Sequence, residues 1–125
     1  MRLLLDTHLL LWWQQDDPKL SRQARQLIEA AEVVVVSSIS LWEVVIKSAV
    51  GKLRADAARV VAAAEADGFV FLPFDQRHAL AVATLPDLHK DPFDRALIAQ
   101  SVTEPLILLT ADAQLARYGA LVRLV

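Results

Sequence analysis

Val33-Val34-Val35-Val36 is the part of the chain that most restricts its fold. Four β-branched residues in succession are stiff in a helix and suit a pleated strand. Strand side chains alternate between faces, so a run that is apolar at every position needs cover on both. Ser37 and Ser38 end it. A strand of this kind belongs inside a parallel sheet between two layers of helices.

The flanking sequence has the same plan. Arg2-Leu3-Leu4-Leu5, Phe69-Val70-Phe71-Leu72, Leu106 to Leu109 and Leu121 to Val125 are short apolar runs that read as further strands. Between them, Ser21 to Ala31 places Ala24, Leu27, Ile28 and Ala31 on one helical face with Arg22, Arg25 and Glu29 opposite. Helices are also expected from Ser40 to about Ala49, across the alanine-rich Asp56 to Asp67, from Asp75 to Thr84, and from Pro92 to about Val102. Leu9 to Trp13 and Asp112 to Arg117 read as helical turns. Strands alternating with helical crossovers predict an α/β fold: a three-layer α/β/α sandwich on a mostly parallel central sheet of about five strands. The 125 residues fit one domain, 1–125, with no linker-like stretch.

Composition narrows the class. With 55% hydrophobic and 22% charged residues the chain is far from disordered and has apolar surface to spare for a partner. No run approaches a membrane span, and Asp6 and His8 interrupt the one early apolar run that a signal peptide would need. Cysteine is absent, which excludes disulfide frameworks and thiolate zinc sites and agrees with a reducing cytoplasm. The net charge of −2 argues against simple electrostatic attraction to nucleic acid. Were four acids neutralised by bound cations, −2 would become +2.

Four acids fall where ligands gather in parallel sheets, outside the carboxyl ends of the strands. Asp6 follows the first strand and Asp112 lies three residues past Leu109. Glu43 opens the helix after the second strand, and Asp94 opens the helix before the fourth. Carboxylates are hard oxygen ligands for Mg²⁺ or Mn²⁺, and several grouped without a cation repel one another. Each also has an ordinary explanation. Ser40 and Glu43 match a capping box, Asp91 before Pro92 a helix cap with Asp94 in the first turn, and Thr110 to Asp112 a cap with dipole compensation. Asp6 ends a strand with nothing obvious to cap.

These residues together resemble a known family. Leu4-Leu5-Asp6-Thr7-His8, Ser40-Leu41-Trp42-Glu43-Val44-Val45-Ile46-Lys47 with Gly51-Lys52-Leu53, Asp91-Pro92-Phe93-Asp94-Arg95-Ala96-Leu97-Ile98-Ala99-Gln100 and Leu108-Leu109-Thr110-Ala111-Asp112 have the order and spacing seen in PIN-domain proteins. They look like the VapC-type toxins of toxin–antitoxin pairs, over essentially the whole chain. The resemblance implies a Mg²⁺- or Mn²⁺-dependent endoribonuclease held inactive by a small antitoxin, commonly as a homodimer, which meets DNA only through that antitoxin. It also implies that Asp6, Glu43 and Asp94 are metal-binding and catalytic acids, with Asp112 as a fourth, more variable one. Asp91 either caps its helix or binds metal through water. In such a site, cations bind a phosphate oxygen, activate water and stabilise the leaving 3′-oxygen.

Other residues invite weaker readings. His8, His78 and His89 share no close ligand spacing and read as surface or helix-end residues. Lys47, Lys52, Lys90 and Arg95 suit either RNA phosphate or an ion pair. Thr7 and Thr110 suit a turn or a hydrogen bond to a carboxylate. Trp42 reads as core; Trp12 and Trp13 are adjacent, which puts one of them at an interface. Two other functions remain open. Aspartate-based phosphoryl transfer lacks its second acid two residues after Asp6, where His8 stands, and a lysine after a late strand. A non-catalytic α/β binding module would use the acids only as caps.

Overall fold

The computed structural model describes all 125 residues. Its strands are β1 (Arg2–Leu5), β2 (Val33–Ser37), β3 (Val70–Leu72), β4 (Ile107–Thr110) and β5 (Val122–Leu124). The helices are α1 (Thr7–Gln15), α2 (Arg22–Ala30), α3 (Ser38–Ala49), α4 (Ala57–Ala66), α5 (Gln76–Val82) and α6 (Pro92–Thr103), with a 3-10 turn at Leu115–Tyr118. The sheet has the order β3-β2-β1-β4-β5, and every pairing is parallel. The expected mostly parallel sheet is therefore wholly parallel.

Alternation along the central strands divides the core in two. Leu3, Leu5, Val34, Val36 and Leu109 face a cluster built with Leu9 and Leu10 of α1, Ala24 and Ile28 of α2, and Val60 and Ala64 of α4. Leu4, Val35 and Leu108 point the other way, onto Ala96, Leu97 and Ile98 of α6 and onto Leu115. This is why the valine run contains no polar position: each face has its own helical layer. Burying each Leu or Val here contributes about 1.5–3 kcal/mol.

Two polar links tie the layers together at the strand ends. Gln100 of α6 is fully buried; its Oε1 accepts from Ser37 Oγ at the end of β2, and its Nε2 donates to Pro73 O. His78 is also fully buried, so of the two roles expected of it, surface or helix end, it takes the second. Its Nδ1 accepts from Asp75 N at 3.0 Å, completing a capping box at the start of α5, and its Nε2 lies 2.7 Å from Glu104 Oε2.

The topology sets the position of the site. From β1 the chain moves outward through β2 to β3, then crosses back to β4 and β5 on the other side. Connections leaving β1 and β4 diverge, so a crevice opens at the carboxyl ends of these two strands.

Candidate active site

Asp6 stands at that crevice. Pairing of β1 with β4 brings Leu5 opposite Leu109, and Asp6 N donates to Leu109 O at 3.0 Å. The next residue of each strand is therefore polar and adjacent: Thr110 Oγ1 donates to Asp6 Oδ2 at 2.6 Å. The other oxygen, Oδ1, accepts from His8 N at 2.9 Å and caps α1, an ordinary role the sequence did not disclose. Asp6 is almost wholly buried. Burial alone pushes its carboxyl up, but hydrogen bonds from His8 and Thr110 outweigh it and hold Asp6 below the usual carboxylate range. The carboxylate in turn raises the His8 imidazole, whose Nδ1 lies 3.8 Å from Asp6 Oδ1.

Glu43 departs from its expected setting. Helix α3 begins at Ser38, with Ser37 as cap accepting from Ile39 N at 3.0 Å. Ser40 is thus inside the helix, where its Oγ accepts from Thr7 Oγ1 at 2.8 Å, and the capping box of Ser40 with Glu43 does not form. Glu43 instead lies in the second turn and is buried at 2% exposure. One of its oxygens pairs with Lys47 one turn on, and Oε1 is buried with no hydrogen-bond partner. An orphaned, charged acceptor is costly in a protein interior.

Helix α6 supplies the third acid. Asp91 is the N-cap and accepts from Asp94 N at 3.0 Å, with Pro92 following it, as the sequence suggested. Asp94, in the first turn, points Oδ2 at His89 Nε2 at 2.9 Å. Burial first, then the charges of Asp6 and Asp91, push the Asp94 carboxyl from 3.8 up to about 6; Glu43 adds to this and the bond with His89 opposes it. Asp112 takes part from the β4 side: its N–H donates to Thr110 Oγ1 at 3.1 Å, and Oδ1 accepts from Gln114 N. Ligand atoms of His89, Asp94 and Asp112 lie within 4.8 Å of one another.

The structure therefore draws Asp94 and Asp112 together, with Asp6 and Thr110 between the strand ends and Glu43 within electrostatic reach of Asp94. Lys47 is the cation among them. Partial burial disfavours its ammonium, yet Glu43, Asp91 and Asp94 raise its pKa above the ordinary value. Phe93 forms the adjoining wall, 5.7 Å beneath Lys47 Nζ and edge-on to Trp42 at 5.3 Å.

Three expectations need correction. Trp42 is not core but 57% exposed, because the buried face of α3 is used by Ile39, Ser40, Glu43 and Val44. Arg95 does not face the acids; its guanidinium donates to Pro86 O, Val82 O and the Tyr118 hydroxyl, pinning the segment before α6. His89, whose sequence spacing offers no ligand pattern, sits against Asp94 because the Asp91 cap turns the chain back on itself. No periodicity announces such a contact. Of the tryptophan pair, Trp13 donates to Asp67 Oδ2 at 2.9 Å, and Trp12 lines a small depression with Asp6, His8 and Asp112.

The donor set fits hard divalent cations, with carboxylates converging at a switch point, one oxygen orphaned and one carboxyl driven up by its neighbours.

Comparison with known proteins agrees with this architecture. Among solved structures, VapBC2 from Rickettsia felis, bound to a promoter DNA fragment, has a chain that superposes with a TM-score of 0.71 at 15% identity, covering 98% of each chain. A toxin–antitoxin complex from Klebsiella pneumoniae gives 0.68 at 22% identity, covering 97% of this chain and 95% of that one. DNA-bound VapBC from Salmonella typhimurium gives 0.71 at 16% identity, covering 98% and 97%. At these identities the likeness is one of fold. No curated protein matches in sequence. The sequence model of the PIN domain, however, matches residues 3–121, so all four acids lie inside it and the chain belongs to the PIN-domain family.

Proposed function

We propose that this chain is a divalent-metal-dependent endoribonuclease, the toxin of a toxin–antitoxin pair, acting in the cytoplasm. The observation that carries the reading is the meeting of Asp94 with Asp112 at the sheet's switch point, where the charges of Asp6 and Glu43 act on Asp94 and Glu43 Oε1 is buried and unpartnered. Asp6, Glu43, Asp94 and Asp112 would hold Mg²⁺ or Mn²⁺, with Asp91 positioning Asp94 through its backbone. Bound there, the metal supplies Lewis acidity toward a phosphodiester and a water of lowered pKa.

The chain's own groups have definable parts in this chemistry. Thr110 fixes the Asp6 carboxylate by its 2.6 Å bond and so keeps it ionised and oriented. Lys47 neutralises Glu43 and, when displaced from it, is a cation within reach of a phosphate oxygen. Phe93 and the exposed Trp42 offer faces for base stacking at the rim.

The partner reading rests on a second observation. Trp42, Val45, Ile46 and Val50 leave an exposed apolar stripe along α3 at helical spacing. Stripes of this kind accept the apolar face of a partner segment, which here would be the antitoxin. The solved complexes from Rickettsia felis and Salmonella typhimurium carry DNA; for a chain with net charge −2, DNA contact through the antitoxin is the consistent assignment. Exposed Leu80 and Val102, on the packed pair α5 and α6, suit a homodimer contact.

Purified protein freed of any partner should cut single-stranded RNA with Mg²⁺ or Mn²⁺ and stop in excess EDTA. Asp6→Asn and Asp94→Asn should abolish cleavage while the far-ultraviolet circular dichroism stays that of the parent. A folded protein that cuts no RNA under either metal refutes the nuclease reading and favours a module that only binds.

A further inference from the structure

We infer that His89 is a direct nitrogen ligand of the metal and that the centre is consequently a mixed imidazole–carboxylate site that prefers Mn²⁺ to Mg²⁺. The inference rests on the metal-site reading above and goes beyond its set of acids.

Three observations carry it. His89 Nε2 is 2.9 Å from Asp94 Oδ2. Neighbouring ligands of an octahedral ion with bonds of about 2.1 Å are about 3.0 Å apart, so the two atoms already span one edge of a coordination octahedron. Asp112 supplies a third ligand atom within 4.8 Å of both, from the segment that follows β4. Independently, Glu43 Oε1 is an unpartnered acceptor at 2% exposure whose charge acts on Asp94. A buried oxygen without a donor is accounted for by a cation.

The position of His89 is built rather than incidental. Arg95 pins Pro86 O from one side and Asp91 caps α6 from the other, so the intervening segment holds the imidazole at 18% exposure against Asp94. Imidazole is a poor ligand for Mg²⁺, which retains oxygen donors and water; the first-row transition ions accept it, Mn²⁺ least avidly among them but more readily than Mg²⁺. A nitrogen in the first sphere therefore shifts selectivity without changing the acids.

The test is pulsed electron paramagnetic resonance of Mn²⁺ bound to the full-length protein. Directly coordinated imidazole gives ¹⁴N modulation of the Mn²⁺ echo, and labelling the wild-type chain with ¹⁵N-histidine should replace it with a ¹⁵N pattern. His89→Gln should remove the modulation and weaken Mn²⁺ about tenfold by titration, with Mg²⁺ changed less than about twofold. His8 also stands near the site, its Nδ1 3.8 Å from Asp6 Oδ1, so His8→Gln should leave the signal intact. Bound Mn²⁺ without ¹⁴N modulation overturns the inference and leaves the carboxylate site standing. Modulation that persists in His89→Gln also overturns it. Failure of the wild-type protein to bind Mn²⁺ at all removes both readings.

Discussion

Replacing Asp94 by Asn should stabilise the metal-free protein while destroying its metal site. In the folded chain the Asp94 carboxyl titrates near 6, against 3.8 for the free group, because it is buried among Asp6, Asp91 and Glu43. A carboxyl raised in this way keeps its proton longer in the folded state. Folding is unpenalised below 3.8, the penalty grows as pH rises toward 6, and it is constant above. Each pH unit between the two values is worth about 1.4 kcal/mol, so the penalty is about 3 kcal/mol at pH 7.5 and about half of that at pH 5. The side chain is only 17% exposed, so solvent screening removes little of it. Asn is isosteric, carries no charge and can still accept from His89 Nε2. In EDTA, urea denaturation at pH 7.5 should therefore find Asp94→Asn more stable by about 3 kcal/mol, with the difference shrinking to near zero at pH 4. Saturating Mn²⁺ should reverse the order, because only the parent gains binding energy. A variant equally or less stable than the parent at pH 7.5, or a stability difference independent of pH, would refute the reasoning.

Other perturbations separate the roles of neighbouring groups. Thr110→Val removes a donor to buried Asp6, so it should cost about 1–3 kcal/mol and move acid unfolding to higher pH, since Asp6 is held low partly by that bond. Gln100→Ala removes the acceptor of the buried Ser37 hydroxyl, which keeps only the bond from Ile39 N, and leaves a void at the α6–β2 contact; a loss of about 2–4 kcal/mol is expected in thermal or urea melts. Trp42→Ala should change stability by less than about 1 kcal/mol, since that side chain is 57% exposed. It should nonetheless weaken capture of a co-expressed antitoxin on an affinity column.

The extent to which the sequence disclosed this structure follows from the range of the forces involved. Strands and helices were legible because their periodicities are local: the valine run, the Pro92 start of α6 and the alanine-rich α4 each declare themselves within one element. The strand-end positions of Asp6 and Asp112 were legible for the same reason, since a parallel sheet fixes which end of a strand carries ligands. What failed was side-chain partnership across elements. The Ser40 and Glu43 spacing matched a cap, but Ser37 captured the helix start one turn earlier and turned Ser40 toward Thr7. Trp42 looked like core by hydrophobicity alone, although α3 spends its inner face on Ile39, Glu43 and Val44. His89 acquires meaning only once the Asp91 cap folds its segment against Asp94.

These contacts also explain how such an acidic centre folds before it meets a cation. Lys47 neutralises Glu43, Thr110 and the His8 amide satisfy Asp6, and Asp94 retains a proton to near pH 6. Each device offsets repulsion that would otherwise oppose folding, the Asp94 proton only below about pH 6, and the last two differ in what they imply for loading. Hydrogen bonds to Asp6 persist when metal arrives, whereas the Asp94 proton must leave, so loading competes with protonation. Metal affinity should be flat above about pH 7 and fall about tenfold for each pH unit below 6. Calorimetric titration with Mn²⁺ from pH 5 to 8 should show that break in the parent, with the released proton visible as a buffer-dependent heat at pH 5.5. An affinity that does not bend near pH 6 would mean that Asp94 is not among the groups the cation displaces a proton from.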